Sequence, residues 1–167
     1  NVAVLDGGLQ AWQAAGGAVN TGEEPAHFQT NFLLKPERAT LVDANQVAEQ
    51  LGNPAQTLID ARATPRFKGE VEPLDPVAGH IPGALNRPFS QNLAADGKFK
   101  SAEALKAEFT ALLGQRDPAG VVHHCGSGVS ALPNLIAMEV AGLGRTALYA
   151  GSWSDWCSNP ERPVAKG

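Results

Sequence analysis

Cysteine is scarce in this sequence, which contains only Cys125 and Cys157 among its 167 residues. Two cysteines are too few for a disulfide framework and are typical of a reducing compartment, so we expect a cytoplasmic protein. Together with the four histidines they show no CxxC or HxxxH spacing. The sequence therefore predicts neither a metal site nor any other cofactor.

Positive charge and long apolar runs are also in short supply. The chain has 13 lysines and arginines against 17 aspartates and glutamates, so it lacks the basic surface that nucleic acids or anionic lipids require. No stretch approaches 18 consecutive apolar residues, and the first residues lack the basic-then-apolar order of a secretion signal. We expect neither a nucleic-acid nor a membrane partner.

Apolar residues are plentiful, at 43% of the chain, and they form alternating strand and helix patterns. This content suffices for one domain with a full core. Short apolar runs predict three buried strands, at residues 39–42, 57–59 and 120–124. Helices are predicted after the capping residues Asp43 and Ser101. The alternation predicts an α/β sandwich with a mainly parallel sheet, centred on the third of these strands.

The first twenty residues match a segment near the other end of the chain. Residues 1–20 contain a strand-like run, a glycine-led turn and a short helix, and residues 146–156 repeat this order with a tryptophan in register. A chance match is the alternative. The simplest explanation is that residues 1–20 end a preceding, homologous domain. A polar, proline-bearing linker is then expected at 21–35, and the main domain at 36–167.

The most informative stretch is a cysteine in a glycine-rich loop between a strand and a helical pattern. Cys125 follows the strand, and Pro133 is compatible with the first turn of the helix, where its missing N–H is not needed. Unpaired N–H groups and partial positive charge near a helix start favour a thiolate. Gly126 and Gly128 allow backbone donors to surround the sulfur. We interpret residues 120–131 as a nucleophile loop, with a buried, inert cysteine as the alternative.

Two cysteine chemistries use an anion-binding loop at this position. Cysteine phosphatases require an arginine six residues after the cysteine, where it binds the phosphoryl group bidentately. The corresponding residue in this sequence is Ala131. A loop of N–H groups without a fixed cation suits the single negative charge of a thiolate or persulfide, so sulfur transfer fits better than phosphate-ester hydrolysis.

Five motifs in one order resemble the rhodanese-like sulfurtransferases, specifically the C-terminal catalytic domain of the two-domain thiosulfate or 3-mercaptopyruvate enzymes. The matching stretches are residues 59–62, 66–70, 78–86, 124–129 and 148–156. The resemblance implies a three-layer α/β/α sandwich around a five-stranded, mainly parallel sheet. It also implies that the active loop faces the preceding rhodanese-like domain.

The resemblance further implies a reaction in two steps. The Cys125 thiolate attacks the outer sulfur of a small-molecule donor and becomes a persulfide, which passes that sulfur to cyanide or to a thiol such as reduced thioredoxin. The implied active-site loop, whose N–H groups surround the sulfur, comprises Gly126, Ser127, Gly128, Val129 and Ser130.

The donor site is also suggested by resemblance. The Cys-Gly-Ser-Gly-Val sequence of residues 125–129 is similar to that of the mercaptopyruvate enzymes. By this resemblance Ser127 would orient the donor or relay a proton. A histidine and an aspartate of the preceding domain would assist it. Arg66 matches the arginine that binds the carboxylate or sulfonate group of the donor. A second substrate arginine, which usually follows the Glu-Pro pair, is replaced by Leu74.

Several polar and aromatic residues have structural or supporting roles in this interpretation. Asp60, at a strand end, is assigned with Arg66 to the substrate-binding site and is expected to accept hydrogen bonds from the active loop or from Arg66. His80 is expected to bond to backbone near the sheet edge, and His123 and His124 to point to opposite faces of their strand. The tryptophans at 153 and 156 are expected in the core or at an interface.

Two rival functions remain open at this stage. A phosphatase would have to act without an arginine at position 131. A catalytically weak rhodanese-like interaction or sulfur-carrier module is the other rival, although such modules commonly lack the cysteine that this chain retains.

Overall fold

The structure is a computed structural model that describes residues 3–24, 31, 33 and 39–167. Within these residues the sheet has five strands in the order β1-β5-β4-β2-β3, and every neighbouring pair is parallel. The strands are β1 (Thr40–Val42), β2 (Thr57–Asp60), β3 (Leu85–Asn86), β4 (Val121–His124) and β5 (Ala147–Tyr149). The strand that leads to Cys125 is therefore central, as the sequence predicted.

Six α-helices and two short 3-10 helices connect the strands in the described part of the chain. The α-helices are α1 (Gly8–Ala14), α2 (Ala44–Glu49), α3 (Thr64–Lys68), α4 (Ala102–Leu113), α5 (Leu132–Val140) and α6 (Ser152–Ser158). The 3-10 helices are Phe89–Asn92 and Pro118–Gly120. No helix among these is long and apolar enough to cross a membrane.

Helices cover both faces of the sheet, which confirms the predicted three layers. On one face Val47 of α2 and Trp153 of α6 pack with Leu58 and Val122. The other face packs against α4 and α5, through a cluster that includes Ile59, Leu105, Phe109, Val121 and Met138. Trp153 and its neighbour Trp156 are fully buried, as expected.

Local capping signals place two of these helices where the sequence predicted them. The Asp43 carboxylate accepts the N–H of Gln46, and the Gln46 side chain accepts the N–H of Asp43, a reciprocal capping box. The hydroxyl of Ser101 accepts the N–H of Ala104 at the start of α4. Both caps satisfy N–H groups that would otherwise lack partners.

The N-terminal segment resembles the start of α6 in local structure. Both α1 and α6 follow a glycine, although Gly7 is left-handed, with a φ of 83°, and Gly151 is right-handed, with a φ of -60°. The next residue has a positive φ in both, 60° at Gly8 and 56° at Ser152. The tryptophans five residues after these glycines differ in burial, because Trp12 is 45% exposed whereas Trp156 is fully buried.

The strand expected at the very start of the chain is wrong for residues 3–5, and Val2 lies outside the described residues. Val4 and Leu5 are 65% and 55% exposed, and no strand of the described sheet pairs with them. A strand needs such a partner for its backbone groups. The predicted linker, 21–35, lies largely outside the described residues, so the boundaries at 1–20, 21–35 and 36–167 stay predictions.

Candidate active site

The candidate active site lies at the carboxyl end of the central strand. Cys125 directly follows β4 and is only 1% exposed. The helix α5 begins seven residues later, at Leu132, with Pro133 in its first turn as predicted. The intervening loop, rather than the first turn of α5, is therefore the stretch of backbone that follows the cysteine directly.

The backbone N–H groups of this loop lack acceptors among the residues that the structure describes. None of the N–H groups of residues 126–131 donates a hydrogen bond to an acceptor in the described part of the chain, whereas the N–H of Leu132 donates to the carbonyl of Val129. Consecutive N–H groups of this kind can bind an anion. The loop therefore has the donors that a thiolate or persulfide would require.

Three hydrogen bonds join the beginning of the loop to the first turn of α6. The backbone N–H of Cys125 donates to the hydroxyl of Ser152 (3.0 Å). The carbonyls of Cys125 and Gly126 accept the N–H groups of Trp153 (3.0 Å) and Ser154 (2.9 Å). The sequence pattern predicted no role for Ser152 or Ser154, although both lie in a motif that carried the family resemblance.

The two loop glycines differ in whether the structure requires glycine at their position. Gly128 has a φ of 83°, and a Cβ atom there would lie 2.4 Å from the carbonyl oxygen of Ala150. A Cβ atom at Gly126 would instead lie 3.6 Å from Nη1 of Arg66, an ordinary contact. The loop therefore requires glycine at 128 but not at 126, and Arg66 lies beside the loop.

The guanidinium group of Arg66, on α3, is bound by two carboxylates. The carboxylate of Glu72 accepts hydrogen bonds from Nε (3.2 Å) and Nη2 (2.6 Å), and that of Asp75 accepts one from Nη2 (3.1 Å). Nη1 has no acceptor among the described residues. The structure thus brings the predicted donor-binding arginine to the loop, with one nitrogen unpaired in this part of the chain.

Asp60 does not bind the loop or Arg66, so that expectation is wrong. Its fully buried carboxylate accepts Nε and Nη2 of Arg62, the latter at 2.6 Å, and also the backbone N–H of Arg62. Arg62 is only two residues away, and its guanidinium stacks 4.7 Å from the ring of Trp153. Asp60 therefore supports the end of β2 through Arg62.

Glu72 connects the two arginines. Its carboxylate lies 3.3 Å from Nη1 of Arg62 and 2.6 Å from Nη2 of Arg66. Burial alone would raise the pKa of Glu72, but hydrogen bonds from Arg66 and from two backbone N–H groups, with the positive charge of Arg66, hold it below its ordinary value. Glu72 is therefore a buried anion that joins Arg66 to the core. The sequence pattern predicted no role for Glu72 or Asp75.

The remaining loop residues face outward to different extents. Val129 is 70% exposed, Ser127 is exposed and Ser130 is half-buried. Neither serine hydroxyl makes a hydrogen bond to another described residue. The structure thus places Ser127 on the accessible side of the loop, and its role in orienting a donor stays a prediction.

The histidines occupy the positions that sequence predicted. Nδ1 of His80 lies 2.8 Å from the carbonyl oxygen of Phe67, and its backbone pairs with Ala165. His123 contacts Met138 on the α5 side, whereas the ring of His124 lies 6.5 Å from that of Tyr149 on the opposite side. Burial lowers the pKa of both strand histidines, that of His123 to about 3. Both are therefore neutral near pH 7.

No group of three or more histidine, cysteine, aspartate or glutamate side chains is placed to hold a metal ion among the described residues. The site instead consists of a buried thiol, a loop of backbone donors and a guanidinium group paired with carboxylates. This combination suits nucleophilic chemistry on an anionic substrate.

Comparison with known proteins identifies the family. Residues 43–159 match the model of the rhodanese-like domain, and the chain belongs to this family. Strands β2 to β5, the cysteine loop and the arginine beside it lie within the matched residues, whereas β1 ends just before them.

Curated relatives carry sulfurtransferase names. The chain is 52% identical over 169 residues to a probable 3-mercaptopyruvate sulfurtransferase of Pseudomonas aeruginosa, covering 99% of this chain and 58% of the relative. It is 44% identical over 170 residues to the putative thiosulfate sulfurtransferase SseB of Mycobacterium tuberculosis, covering 100% of this chain and 58% of the relative. The chain therefore spans little more than half the length of these relatives.

Solved structures agree on the fold. The enzyme of anaerobic ergothioneine biosynthesis from Chlorobium limicola, in complex with trimethyl histidine, superposes with a TM-score of 0.84 at 24% identity. The match covers 98% of this chain and 41% of that one. A structure of EanB with ergothioneine gives a TM-score of 0.85, also at 24% identity. At this identity the likeness concerns the fold alone.

Proposed function

We propose that this chain carries the catalytic cysteine of a sulfurtransferase, which moves a sulfane sulfur from thiosulfate or 3-mercaptopyruvate to a thiol or cyanide. The observation that carries the proposal is the position of Cys125 at the base of a loop whose N–H groups, at residues 126–131, have no acceptor in the described chain. The names of the curated relatives support the same reaction class.

The first half-reaction forms a persulfide. The Cys125 thiolate attacks the outer sulfur of the donor, a new S–S bond forms, and the donor bond to that sulfur breaks. With thiosulfate the leaving group is sulfite, which keeps the electron pair. With 3-mercaptopyruvate the C–S bond breaks, and the enolate of pyruvate takes up a proton. The loop N–H groups stabilise the negative charge on the cysteine sulfur before the attack and on the persulfide after it.

The second half-reaction regenerates the enzyme. A thiolate acceptor, such as that of reduced thioredoxin, or cyanide attacks the outer sulfur of the persulfide, and Cys125 leaves as a thiolate. Since one covalent intermediate separates the two substrates, ping-pong kinetics are expected. A thiol acceptor suits a reducing compartment, and we therefore place the reaction in the cytoplasm.

Two features favour 3-mercaptopyruvate as the donor. Arg66 lies beside the loop and has one nitrogen without an acceptor among the described residues, so it can bind a carboxylate. The neutral residues Gly126 and Ser127 give the loop no side-chain cation for the doubly charged thiosulfate. Ser127, on the accessible side of the loop, would orient the donor.

We also propose that residues 1–20 belong to a preceding rhodanese-like domain, joined by the linker at 21–35 to the catalytic domain at 36–167. The positive φ at the first residue of both α1 and α6 supports this assignment, as does the exposure of Trp12 and Leu9 on α1. Such an apolar surface is typical of a segment that packs against another part of the protein.

The test is the intact mass of the whole protein before and after incubation with each donor. A gain of one sulfur, about 32 Da from persulfide formation, is expected. Cys125→Ser should abolish the gain, and the matched variant Cys157→Ser should retain it. No gain from either donor would contradict the proposal, and a gain that survives in Cys125→Ser would place the sulfur elsewhere.

The two rival functions give different results in the same preparation. A phosphatase would hydrolyse a chromogenic aryl phosphate in a Cys125-dependent way. An interaction module without catalysis would show Cys125 alkylation as slow as that of free cysteine at neutral pH. The sulfurtransferase is supported if Cys125 forms a persulfide, the aryl phosphate is not hydrolysed and Cys125 is alkylated faster than free cysteine.

A further inference from the structure

The guanidinium group of Arg66 presents two edges to its neighbours. The edge formed by Nε and Nη2 is bound by both oxygens of Glu72, at 3.2 and 2.6 Å. The other edge, formed by Nη1 and Nη2, is the one that could bind a second carboxylate bidentately. Both nitrogens of that edge lie beside the loop, 3.6 and 3.7 Å from the position of a Cβ atom at Gly126. Nη2 already contacts Asp75 at 3.1 Å, whereas Nη1 has no acceptor in the described chain.

Asp75 is fixed at this place by contacts other than Arg66. Its second carboxylate oxygen accepts the hydroxyl of Ser154 at 2.6 Å, and the backbone N–H of Ser154 donates to the carbonyl of Gly126 in the loop. The side chain of Asp75 is only 9% exposed. Asp75 therefore does not depend on Arg66 for its position and borders the loop on the same side.

Negative charge exceeds positive charge in this cluster. The carboxylates of Asp60, Glu72 and Asp75 face the guanidinium groups of Arg62 and Arg66. Each arginine is therefore neutralised by groups of the protein itself, and an anion that approaches Arg66 also approaches Asp75. Like charges a few ångströms apart in a partly buried site oppose binding strongly.

We propose that Asp75 is a specificity-determining residue of the donor site, because it occupies half of the Arg66 edge that faces the loop. It restricts an anionic donor to a single hydrogen bond with Nη1 and disfavours dianions more than monoanions. The proposal rests on the sulfur-transfer function, in which Arg66 binds the donor.

Asp75→Asn in the whole protein tests this role. Asparagine retains an acceptor for Ser154 but removes the charge and weakens the contact with Arg66. The KM for 3-mercaptopyruvate should fall about 5- to 10-fold, as expected for one recovered charge-assisted hydrogen bond. The KM for thiosulfate should fall by a larger factor, because a dianion is repelled more. Glu70→Gln is the matched control, because it removes the same charge from an exposed residue whose nearest partner is Lys68 at 3.9 Å.

A second readout does not depend on sulfur transfer. Pyruvate has the carboxylate of the donor but no transferable sulfur, and its affinity can be measured by calorimetry in the Cys125→Ser background. Asp75→Asn should tighten pyruvate binding about 5- to 10-fold, and Glu70→Gln should leave it within twofold. The proposal is overturned if Asp75→Asn binds pyruvate no more tightly than the Cys125→Ser parent, or if pyruvate binds to neither of these two proteins. The persulfide mass test decides the proposed function separately.

Discussion

The hydroxyl oxygen of Ser152 lies 3.0 Å from the backbone nitrogen of Cys125, and both residues are buried. The same hydroxyl donates to the carbonyl of Tyr149 (3.0 Å). Ser152 is the non-glycine residue with a positive φ, 56°, in the described chain. This conformation, which L-residues rarely adopt, places the side chain between the end of β5 and the nucleophile loop.

Ser152→Ala is expected to displace the cysteine. The change leaves the Cys125 N–H without a partner in a buried position, which costs about 1–3 kcal/mol. Alkylation of Cys125 by iodoacetamide, measured in a Cys157→Ser background, should slow about tenfold, and the Tm should fall. Ser152→Gly is the matched variant, because it accommodates the positive φ without strain but also lacks the hydroxyl. If Ser152→Gly restored the alkylation rate, the hydrogen bond to Cys125 would have no role.

The two loop glycines should respond differently to alanine. Gly128→Ala forces a Cβ atom to within 2.4 Å of the carbonyl oxygen of Ala150 at a φ of 83°, so the loop must move. Gly126→Ala makes only an ordinary contact with Arg66. We expect at least a tenfold loss of persulfide formation for Gly128→Ala and less than a threefold loss for Gly126→Ala, both measured by intact mass over time. A loss of less than threefold for Gly128→Ala as well would show that the loop relaxes without consequence for persulfide formation at Cys125.

The sequence was sufficient to predict an α/β sandwich with a mainly parallel sheet, because the signals that determine this class are local, whereas the three layers and five strands were implied by the family resemblance. The capping box of Asp43, the cap of Ser101 and the apolar face of α4 each depend on residues within one or two helical turns. The central strand and the cysteine loop were predicted for the same reason.

The site depends on contacts between residues whose pairing the sequence pattern does not determine. Asp60 has two arginines within the next six residues, and the pattern alone could not choose Arg62 over Arg66. Ser152 reaches Cys125 from 27 residues away, since β5 pairs with β4 and so brings the start of α6 to the loop. The N-terminal apolar run resembled a strand, but a strand forms only where another one can pair with it.

Glu72→Gln should destabilise the fold. The variant removes the anion between the buried Arg62 and the largely buried Arg66, and breaking a buried pair by removing one partner costs about 3–5 kcal/mol. Glu139→Gln is the matched control, because the pair of Glu139 with Arg145 is more than half exposed and contributes at most about 1 kcal/mol. Denaturant unfolding at pH 7 measures both changes. Similar losses in the two variants would contradict a special role for Glu72.

Acid should weaken the contribution of Glu72 in a defined direction. Because the pKa of Glu72 is lower in the folded state than its ordinary 4.5, the stabilisation is complete above the ordinary value and is lost as the pH falls through the lower, folded one. Between pH 5 and pH 3 the stability of Glu72→Gln should therefore fall less steeply than that of the wild-type protein. Parallel slopes would show that Glu72 keeps its ordinary pKa.

The buried histidines of β4, His123 and His124, should make the free energy of unfolding depend on pH at higher pH values than Glu72 does. Burial lowers the pKa of His123 from 6.5 to about 3, and burial also lowers that of His124. The unfolded chain then binds more protons than the folded one over this interval, so the free energy of unfolding falls as the pH decreases from 6.5 toward 3. Each histidine contributes a slope of up to about 1.4 kcal/mol per pH unit. Between pH 6.5 and pH 5 carboxylates contribute little, because their ordinary pKa values lie lower.

His123→Leu isolates one of these slopes. Leucine has a similar volume and removes a ring whose Nδ1 atom is buried without a partner among the described residues, so little loss is expected at pH 7, where His123 is neutral. Urea unfolding at pH 7, 6 and 5 should show a shallower decline for the variant, whose stability relative to the wild-type protein improves as the pH falls. The comparison at pH 7 separates packing from titration. If both proteins lost stability at the same rate from pH 6.5 to 5, His123 would have to take up its proton in the folded state, which its complete burial against Met138 opposes.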